Sequence, residues 1–307
     1  MNILHMKYAV EVAKAGSINK ASEALLIAQP NLSRSIKNLE ADLGITIFDR
    51  SAKGMVLTPE GERFIGYARN ILSQIDKVEA MYRAEASTTQ KFSISGPRAS
   101  YISDAFARFS ATIGPATAEI FYKETNSMRV INNIVTHDYR LGILRYAEMY
   151  DQYFKDMLEE KEFSYELITE FRYVLLMRKD SPLAVKATLY QADFRDYIEI
   201  AHADPFVPNM PAAEVKRTEL PGNVDRRIFV FERASQFDLL SENPQTFMWV
   251  SPAPQKLLDR YGLVQRECAD NVKVYKDVLI HRKDYQLTDL DNRFVTELCR
   301  SKRECFP

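Results

Sequence analysis

The sequence predicts an α/β protein in three parts: a helical N-terminal unit with a β-hairpin, one long helix, and a two-lobed α/β region. Three observations support this prediction. Apolar residues recur at helical spacing through residues 3–43, a repeat of alternating fours and threes runs along residues 60–86, and strands alternate with helices beyond residue 90. The predicted domains are therefore residues 1–58, 59–89 and 90–307.

Composition limits the classes to which the chain can belong. Of 307 residues, 46% are hydrophobic, which is enough for sizeable cores. The net charge is −1 overall and +2 over residues 1–58, where seven Lys and Arg face five Asp and Glu, so affinity for nucleic acid depends on local placement of charge. We expect a cytoplasmic protein, because no run of about 18 apolar residues indicates a membrane span, charges interrupt the N-terminus, and cysteines are few.

Two helices are predicted at the N-terminus. The first covers residues 3–15, and its buried side is marked by Met6, Ala9, Val10 and Ala13. The second begins after Ser17, whose hydroxyl can accept a hydrogen bond from the free N–H groups of the first turn. Its apolar face consists of Ile18, Ala21, Leu25 and Leu26.

A third helix is predicted over about Gln29–Leu43. Pro30 is tolerated in its first turn, and Gly44 follows where a left-handed cap residue belongs. Its apolar stripe is Leu32, Ile36, Leu39 and Leu43. The opposite face carries side chains suited to a DNA groove, since amides and Arg bond base edges while Ser and Lys bond phosphates: Gln29, Asn31, Ser33, Arg34 and Lys37.

A β-hairpin follows the third helix. Residues Ile45–Asp49 and Met55–Leu57 read as two short strands, joined by residues 50–54. In this wing, Arg50 and Lys53 can reach phosphates or a neighbouring minor groove. The alternative is that both are solvated loop charges.

The stretch AGSINKASEALLIAQPNLSRSIKNLEADLGITIFDR, followed by LTPEG, resembles the DNA-binding domain of LysR-type transcriptional regulators. The positions at the family's spacing are Gly16-Ser17, Gln29-Pro30, Ser33, Leu39-Glu40, Leu43-Gly44, Phe48, Arg50, Leu57-Thr58 and Gly61. The chain departs from the family at Ser22, usually Ala, and at Ala28, usually Ser. The resemblance implies a winged helix-turn-helix in which DNA is bound by Ser17, Gln29, Pro30, Asn31, Ser33, Arg34, Lys37, Arg50, Lys53 and Thr58.

The long helix is predicted to begin at Thr58-Pro59-Glu60, where a hydroxyl cap precedes Pro and an acidic residue. Its apolar residues form a coiled-coil seam: Phe64, Ala68, Ile71, Ile75, Val78 and Tyr82. The alternative is a helix that lies on its own core. We favour dimerisation, because nothing N-terminal is large enough to cover so long a seam. The resemblance implies that this helix pairs subunits into a homodimer. It also implies that two dimers can associate into a homotetramer.

The remaining residues resemble the family's two-lobed effector domain, which is related in fold to periplasmic binding proteins. Lobe I is predicted over about residues 90–163 and 269–307, and lobe II over about 164–268. In such sheets a ligand binds in the crevice at the carboxyl ends of the strands. These positions are Pro97, Arg98, Ala99, Ser100, Asn126, Ser127, Arg145, and residues 201–204, which include Ala201 and His202.

Arg98 and Arg145 suggest an effector that carries a carboxylate or a phosphate. Arg98 lies at a predicted helix N-terminus, where free N–H groups attract anions. The alternatives stay open: Arg98 in a surface salt bridge, Arg145 paired with Glu148 or Asp151, and His202 as a structural histidine. The expected Gly-rich turn of lobe II is absent, and the stretch that begins at Phe247 stands nearby, so an aromatic pocket wall is predicted there.

Three functions from different classes can be compared. The first is a ligand-responsive transcription factor whose dimers bind an interrupted dyad, with RNA polymerase as a further partner. It accounts for the DNA-binding residues, the dimerisation helix and the two-lobed region. A small-molecule binding protein without DNA function leaves residues 29–50 without a purpose. An enzyme is disfavoured, because the four histidines show no metal spacing and no phosphate loop or nucleophile elbow appears; no cofactor is expected. Among the cysteines, Cys299 is expected in the core and Cys305 in the tail, and we do not expect a redox switch.

Overall fold

The computed structural model describes residues 2–51, 54–82, 89–208, 210 and 224–306, except for the side chains of residues 50, 51, 54 and 76–82. The chain divides into two compact units, Met1–Ser87 and Thr88–Pro307. Two predictions rest on side chains outside the described set: the roles of Arg50 and Lys53, and the far end of the seam at Val78 and Tyr82.

The first unit is a winged helix-turn-helix, as predicted. Its elements are α1 (Ile3–Ala15), α2 (Ile18–Ala24), α3 (Gln29–Leu43), β1 (Phe48–Ser51), β2 (Gly54–Leu57) and α4 (Pro59–Tyr82). Strands β1 and β2 are antiparallel, with Phe48 opposite Leu57. The first strand thus begins three residues later than predicted.

The core of the first unit is built largely from the predicted faces of α2 and α3, whereas α1 buries Val12 in addition to Met6 and Ala9 and leaves the predicted Val10 and Ala13 half-buried. Ala9, Ile18, Ala21 and the α3 stripe through Leu39 are buried together. Leu26 contradicts the prediction, since its side chain is 93% exposed. The reason is that α2 ends at Ala24, and Leu26 lies in the following turn with φ of 55°, where helical periodicity no longer applies.

The long helix α4 buries Ala68 of the predicted seam, together with Ile65 and Leu72, which the seam did not include. Ile65, Ala68 and Leu72 are buried in the first unit, where α1 packs against α4. The alternative that the helix lies on its own core therefore holds for Ala68 but not for Ile71. Ile71 of the predicted seam remains 41% exposed and Tyr67, which the seam did not include, remains 70% exposed, so the apolar strip that is left for a partner overlaps the predicted seam only in part.

The second unit contains two five-stranded sheets. The first has the order β4-β3-β5-β12-β6, with strands β3 (Gln90–Gly96), β4 (Ala118–Glu124), β5 (Leu141–Ala147), β6 (Phe163–Arg172) and β12 (Val274–Arg282). Strand β3 is parallel to β4 and β5, whereas β12 is antiparallel to β5 and β6. The parallel part is the one that the alternation of strands and helices predicted.

The second sheet has the order β11-β7-β10-β8-β9. Its strands are β7 (Val174–Arg178), β8 (Ile198–His202), β9 (Arg226–Val230), β10 (Thr246–Val250) and β11 (Leu263–Arg266). Because β6 pairs with β12 up to Arg172, the chain enters the second sheet near residue 173. The predicted lobe boundary at residues 163 and 164 is therefore about ten residues too early.

Helices pack on both sheets. Those associated with the first are α5 (Ser100–Ser110), α6 (Ser127–Thr136), α7 (Asp151–Glu160) and α10 (Asp289–Cys305); the second carries α8 (Arg233–Glu242) and α9 (Gln255–Tyr261). The prediction for the cysteines was reversed: Cys305 is buried in the core of the first lobe, while Cys299 is only half-buried. Within the described residues, no helix combines the length and apolarity needed to cross a membrane.

Candidate functional site

One face of α3 is polar and open to solvent. Leu32, Ile36 and Leu39 fix the helix to the core. On the opposite side, the exposed residues are Gln29, Pro30, Asn31, Arg34 and Lys37, and Ser33 is half-buried. The side chains that the sequence assigned to a DNA groove therefore share one accessible surface. Such a surface presents amide, guanidinium and ammonium groups, which can bond base edges and phosphates.

Two other residues of the predicted set serve the fold. The Ser17 hydroxyl caps α2 by accepting from Lys20 N at 3.5 Å. Thr58 is buried, and its hydroxyl donates to Thr46 O at 2.6 Å and accepts from Gly61 N at 2.9 Å. The Thr58 hydroxyl thus joins the wing to the start of α4, and it is not part of the exposed α3 surface.

Glu40 has a role that the sequence analysis missed. Its carboxylate accepts hydrogen bonds from Ile47 N at 2.8 Å and Phe48 N at 3.2 Å. Glu40 therefore fixes the start of the wing to the C-terminal half of α3. The sequence did contain a signal for this role: Glu40 matches the family pattern as part of the pair Leu39-Glu40.

The second unit contains a pocket of about 160 Å³ at the carboxyl ends of β3, β4, β5 and β8. Of the predicted effector residues, the pocket is lined by Pro97, Arg98, Asn126, Ser127, Arg145 and His202. The segments that follow β3, β4, β5 and β8 therefore meet at one pocket, as expected from the sequence.

Four predicted effector residues do not line the pocket. Ala99, Ser100 and Ala201 are buried in the surrounding structure. Phe247 is fully buried in the core of the second lobe, where its ring centroid lies 4.9 Å from that of Phe194. The predicted aromatic wall is therefore misplaced. The aromatic residues that do line the pocket are Tyr146, Tyr150, Tyr173, Phe206 and Tyr275, and they were missed because several come from segments far apart in sequence.

Arg145 is held by a carboxylate that the sequence analysis did not consider. Its Nε and Nη2 donate to Asp277 Oδ1 and Oδ2 at 2.7 and 2.6 Å, and the Tyr101 hydroxyl donates to Oδ2 at 2.5 Å. The pairing follows from the sheet, since Asp277 of β12 lies directly opposite Arg145 of β5. The guanidinium also lies 4.8 Å from the ring centroid of Phe171.

The charges of this pair stabilise each other in a buried setting. Asp277 is fully buried, and the Arg145 side chain is 9% exposed. Burial alone would lower the pKa of Arg145, but attraction to Asp277 outweighs it and the pKa is raised. Burial, reinforced by Asp277, raises the pKa of Tyr101 well above its usual value. The alternatives of Glu148 or Asp151 as partners of Arg145 are wrong, and Arg145 is not a free cation for an anion.

Arg98 is also paired, with a residue of the other lobe. Its Nη1 donates to Asp204 Oδ1 at 2.8 Å, and Arg129 Nη1 lies 3.2 Å from Asp204 Oδ2. The Asn126 amide donates to the Asp204 carbonyl oxygen at 3.1 Å. The salt-bridge alternative for Arg98 is therefore the observed arrangement, although this bridge lies in the pocket, with both side chains about one-eighth exposed.

His202 lies beside this group as a neutral side chain. Burial, with a further effect of the Arg98 charge, lowers its pKa to about 4. Its Nδ1 is buried and has no hydrogen-bond partner within the described part of the chain. His202 therefore adds no positive charge to the pocket near neutral pH.

A winged helix-turn-helix followed by a two-lobed α/β unit places this molecule in the helix-turn-helix class. Residues 3–62 match the family described as "Bacterial regulatory helix-turn-helix protein, lysR family". The N-terminal unit is thus a LysR-family domain.

Two relatives match the N-terminal region. The chain is 46% identical over 98 residues to the uncharacterized HTH-type transcriptional regulator YcgK of Bacillus subtilis, covering 32% of this chain and 30% of the relative. It is 40% identical over 94 residues to the HTH-type transcriptional regulator BenM of Acinetobacter baylyi, covering 31% of each. These matches span less than a third of each relative's length.

Full-length structures share the fold of the whole chain. A full-length OxyR variant from Pseudomonas aeruginosa aligns with a TM-score of 0.59 and 16% identity, covering 100% of this chain and 96% of that one. Full-length CbnR, in a complex with its target DNA, aligns with a TM-score of 0.60 and 20% identity, covering 98% and 100%. At this identity the comparison establishes the fold, including the two-lobed unit.

Proposed function

We propose that this chain is a LysR-type transcriptional regulator that binds double-stranded DNA through α3. The observation that carries the proposal is the exposed polar face of α3 on a LysR-family domain. Gln29, Asn31 and Arg34 supply groups that read base edges, and Lys37 supplies a cation for phosphate. BenM is named a transcriptional regulator and CbnR was solved with its target DNA, which supports this assignment.

The DNA-bound form is a homodimer on an interrupted dyad. The first unit carries little net positive charge, so one copy has a weak electrostatic attraction to DNA and two copies add their contacts. Tyr67 and Ile71 form an exposed apolar strip on α4 that a second copy can cover. Pairing of dimers into a homotetramer and contact with RNA polymerase extend the proposal.

The pocket of the second unit receives a small anionic effector. Arg98, Arg129 and Arg145 face the carboxylates of Asp204 and Asp277 around the pocket, and these five groups together carry one net positive charge. Effector binding shifts the population between arrangements of the two lobes, and that shift controls DNA binding. The alternative, a small-molecule binding protein without DNA function, leaves the polar face of α3 without a role.

Selection from a pool of random DNA duplexes by the purified full chain tests the proposal. The expected result is enrichment of a site with two similar half-sites in opposite orientation, because a symmetric dimer imposes its symmetry on its site. If repeated rounds enrich no sequence, sequence-specific DNA binding is refuted. Enrichment of a single half-site without a dyad would leave DNA binding standing and overturn the dimeric arrangement.

A further inference from the structure

The pocket contains a carboxylate placed where an acidic ligand would bind. Asp204 follows β8 of the second lobe, whereas its two partners belong to the first lobe: Arg98 follows β3, and Arg129 lies on α6. Asp204 accepts from Arg98 Nη1 at 2.8 Å and from Arg129 Nη1 at 3.2 Å. One carboxylate is thus shared by two guanidinium groups across the cleft.

The balance of charge favours an anion at this position. Arg145 is neutralised by Asp277, and His202 is neutral, so neither contributes net charge. Two guanidiniums and one carboxylate remain, with one positive charge in excess. Arg129 is 63% exposed, which weakens its attraction through solvent screening, whereas Arg98 is only 12% exposed and dominates.

The pocket has room for a small ring beside the anion position. Its volume is about 160 Å³, similar to the roughly 150 Å³ cavity that holds one benzene molecule in an engineered protein. Its walls include the rings of Tyr150, Tyr173 and Tyr275, which pack well against a flat or cyclic apolar group. A ligand with one six-membered ring and one carboxylate fits both the volume and the charge.

We propose that Asp204 is an internal competitor of the effector. In the absence of effector, its carboxylate occupies the anion position between Arg98 and Arg129. The effector is a monocarboxylate of about one ring that takes over these guanidiniums and releases Asp204, together with its connection between the lobes. This inference deepens the proposed effector response at the same pocket and rests on it.

Calorimetric titration of the full chain tests the competition with a matched pair of probes, cyclohexanecarboxylate and the neutral cyclohexanecarboxamide. We expect Asp204→Asn to bind the carboxylate at least about tenfold more tightly than the unmodified protein, since removing one nearby negative charge changes the interaction by more than about 1.4 kcal/mol. Affinity for the amide should change much less. Asp180→Asn is the matched control, because Asp180 pairs with Arg178 at an exposed site of the second lobe and should leave both affinities unchanged.

The gain should depend on the guanidinium that Asp204 releases, so adding Arg98→Gln to Asp204→Asn should remove it. Asp204→Ser provides a second replacement, and an unchanged circular dichroism spectrum verifies folding of each variant. The proposal is overturned if neither folded Asp204 variant binds the carboxylate more tightly than the unmodified protein, including the case in which no protein binds it. It is also overturned if the affinity for the amide rises by the same factor. Because no DNA is present, the outcome is independent of the DNA selection.

Discussion

The first turn of α4 passes so close to Ile47 that a Cβ atom added to Gly61 would lie 2.1 Å from the Ile47 carbonyl oxygen. The obstacle is backbone, so it cannot move aside as a flexible side chain would. Ile47 is itself fixed, since its N–H donates to Glu40 and its carbonyl accepts from Thr58 N. Gly61 is therefore required by close packing between α4 and the start of the wing.

Gly61→Ala should lower the free energy of unfolding of the first unit by about 1–3 kcal/mol or more, as expected for overpacking against fixed atoms. Gly66→Ala is a matched control on the same helix, because its added Cβ would have nothing within 4 Å. Replacing an exposed helical glycine should instead stabilise by up to about 1 kcal/mol. Urea unfolding, with hydrogen exchange to localise the effect to α1–α4, measures both. Equal changes in the two variants would contradict the packing argument.

Local signals predicted the first unit well. Helix starts and ends are set by capping or by fixed backbone angles, which depend only on neighbouring residues. In the structure, helices begin or end at or next to the predicted residues Ser17, Pro30, Gly44 and Thr58. The side of α4 that packs on the core was not predictable in this way. Helical periodicity shows that a stripe exists, but the position of α1 decides that Ala68 lies inside and Ile71 outside.

The site in the second unit was predicted only in part, for a related reason. The segments that follow β3, β4, β5 and β8 could be placed, because the carboxyl ends of parallel strands meet at one edge. The residues that pair with Arg98 and Arg145 could not be predicted from the sequence. Asp277 reaches Arg145 from 132 residues away through an antiparallel strand whose register no local pattern reveals. Phe247 was misplaced because a buried apolar strand looks the same whether its rings face a pocket or a core.

Arg34→Ala should weaken binding to the selected DNA site while leaving the fold unchanged. Arg34 is exposed on α3, and the loss of one bidentate base contact costs about 1–3 kcal/mol of discrimination. Arg69→Ala is the control, since Arg69 is an exposed arginine on α4 rather than on α3. Fluorescence anisotropy with the selected site and a scrambled duplex measures the specific loss. Unchanged discrimination in Arg34→Ala would remove this residue from the set that reads bases.

Ile71→Asp should weaken the homodimer. Ile71 is 41% exposed beside Tyr67 on the strip of α4 that the first unit leaves uncovered, and a charge buried in an apolar interface carries a large desolvation cost. Asn70→Asp adds the same charge at an exposed neighbouring position and should have a smaller effect. Sedimentation velocity over a concentration series reports the dimer dissociation constant. A dimer as stable in Ile71→Asp as in Asn70→Asp would place the interface elsewhere.

His202 should make the protein less stable in mild acid. Its pKa is lowered from 6.5 to about 4 in the folded state, so between these values the unfolded chain binds a proton that the folded chain does not. The stabilising contribution is therefore present above pH 6.5 and is lost progressively as the pH falls toward 4. At pH 5 the loss amounts to about 2 kcal/mol relative to neutral pH, by proton linkage.

Urea unfolding at pH 7 and pH 5 measures this effect as the difference between the unmodified protein and His202→Gln. The variant should lose less stability over this interval, because its side chain at position 202 does not titrate, while all other groups titrate in both proteins. His137→Gln is the control for replacing a histidine at an exposed position. A His202→Gln protein with the full acid sensitivity of the unmodified chain would show that this histidine is not buried in its neutral form.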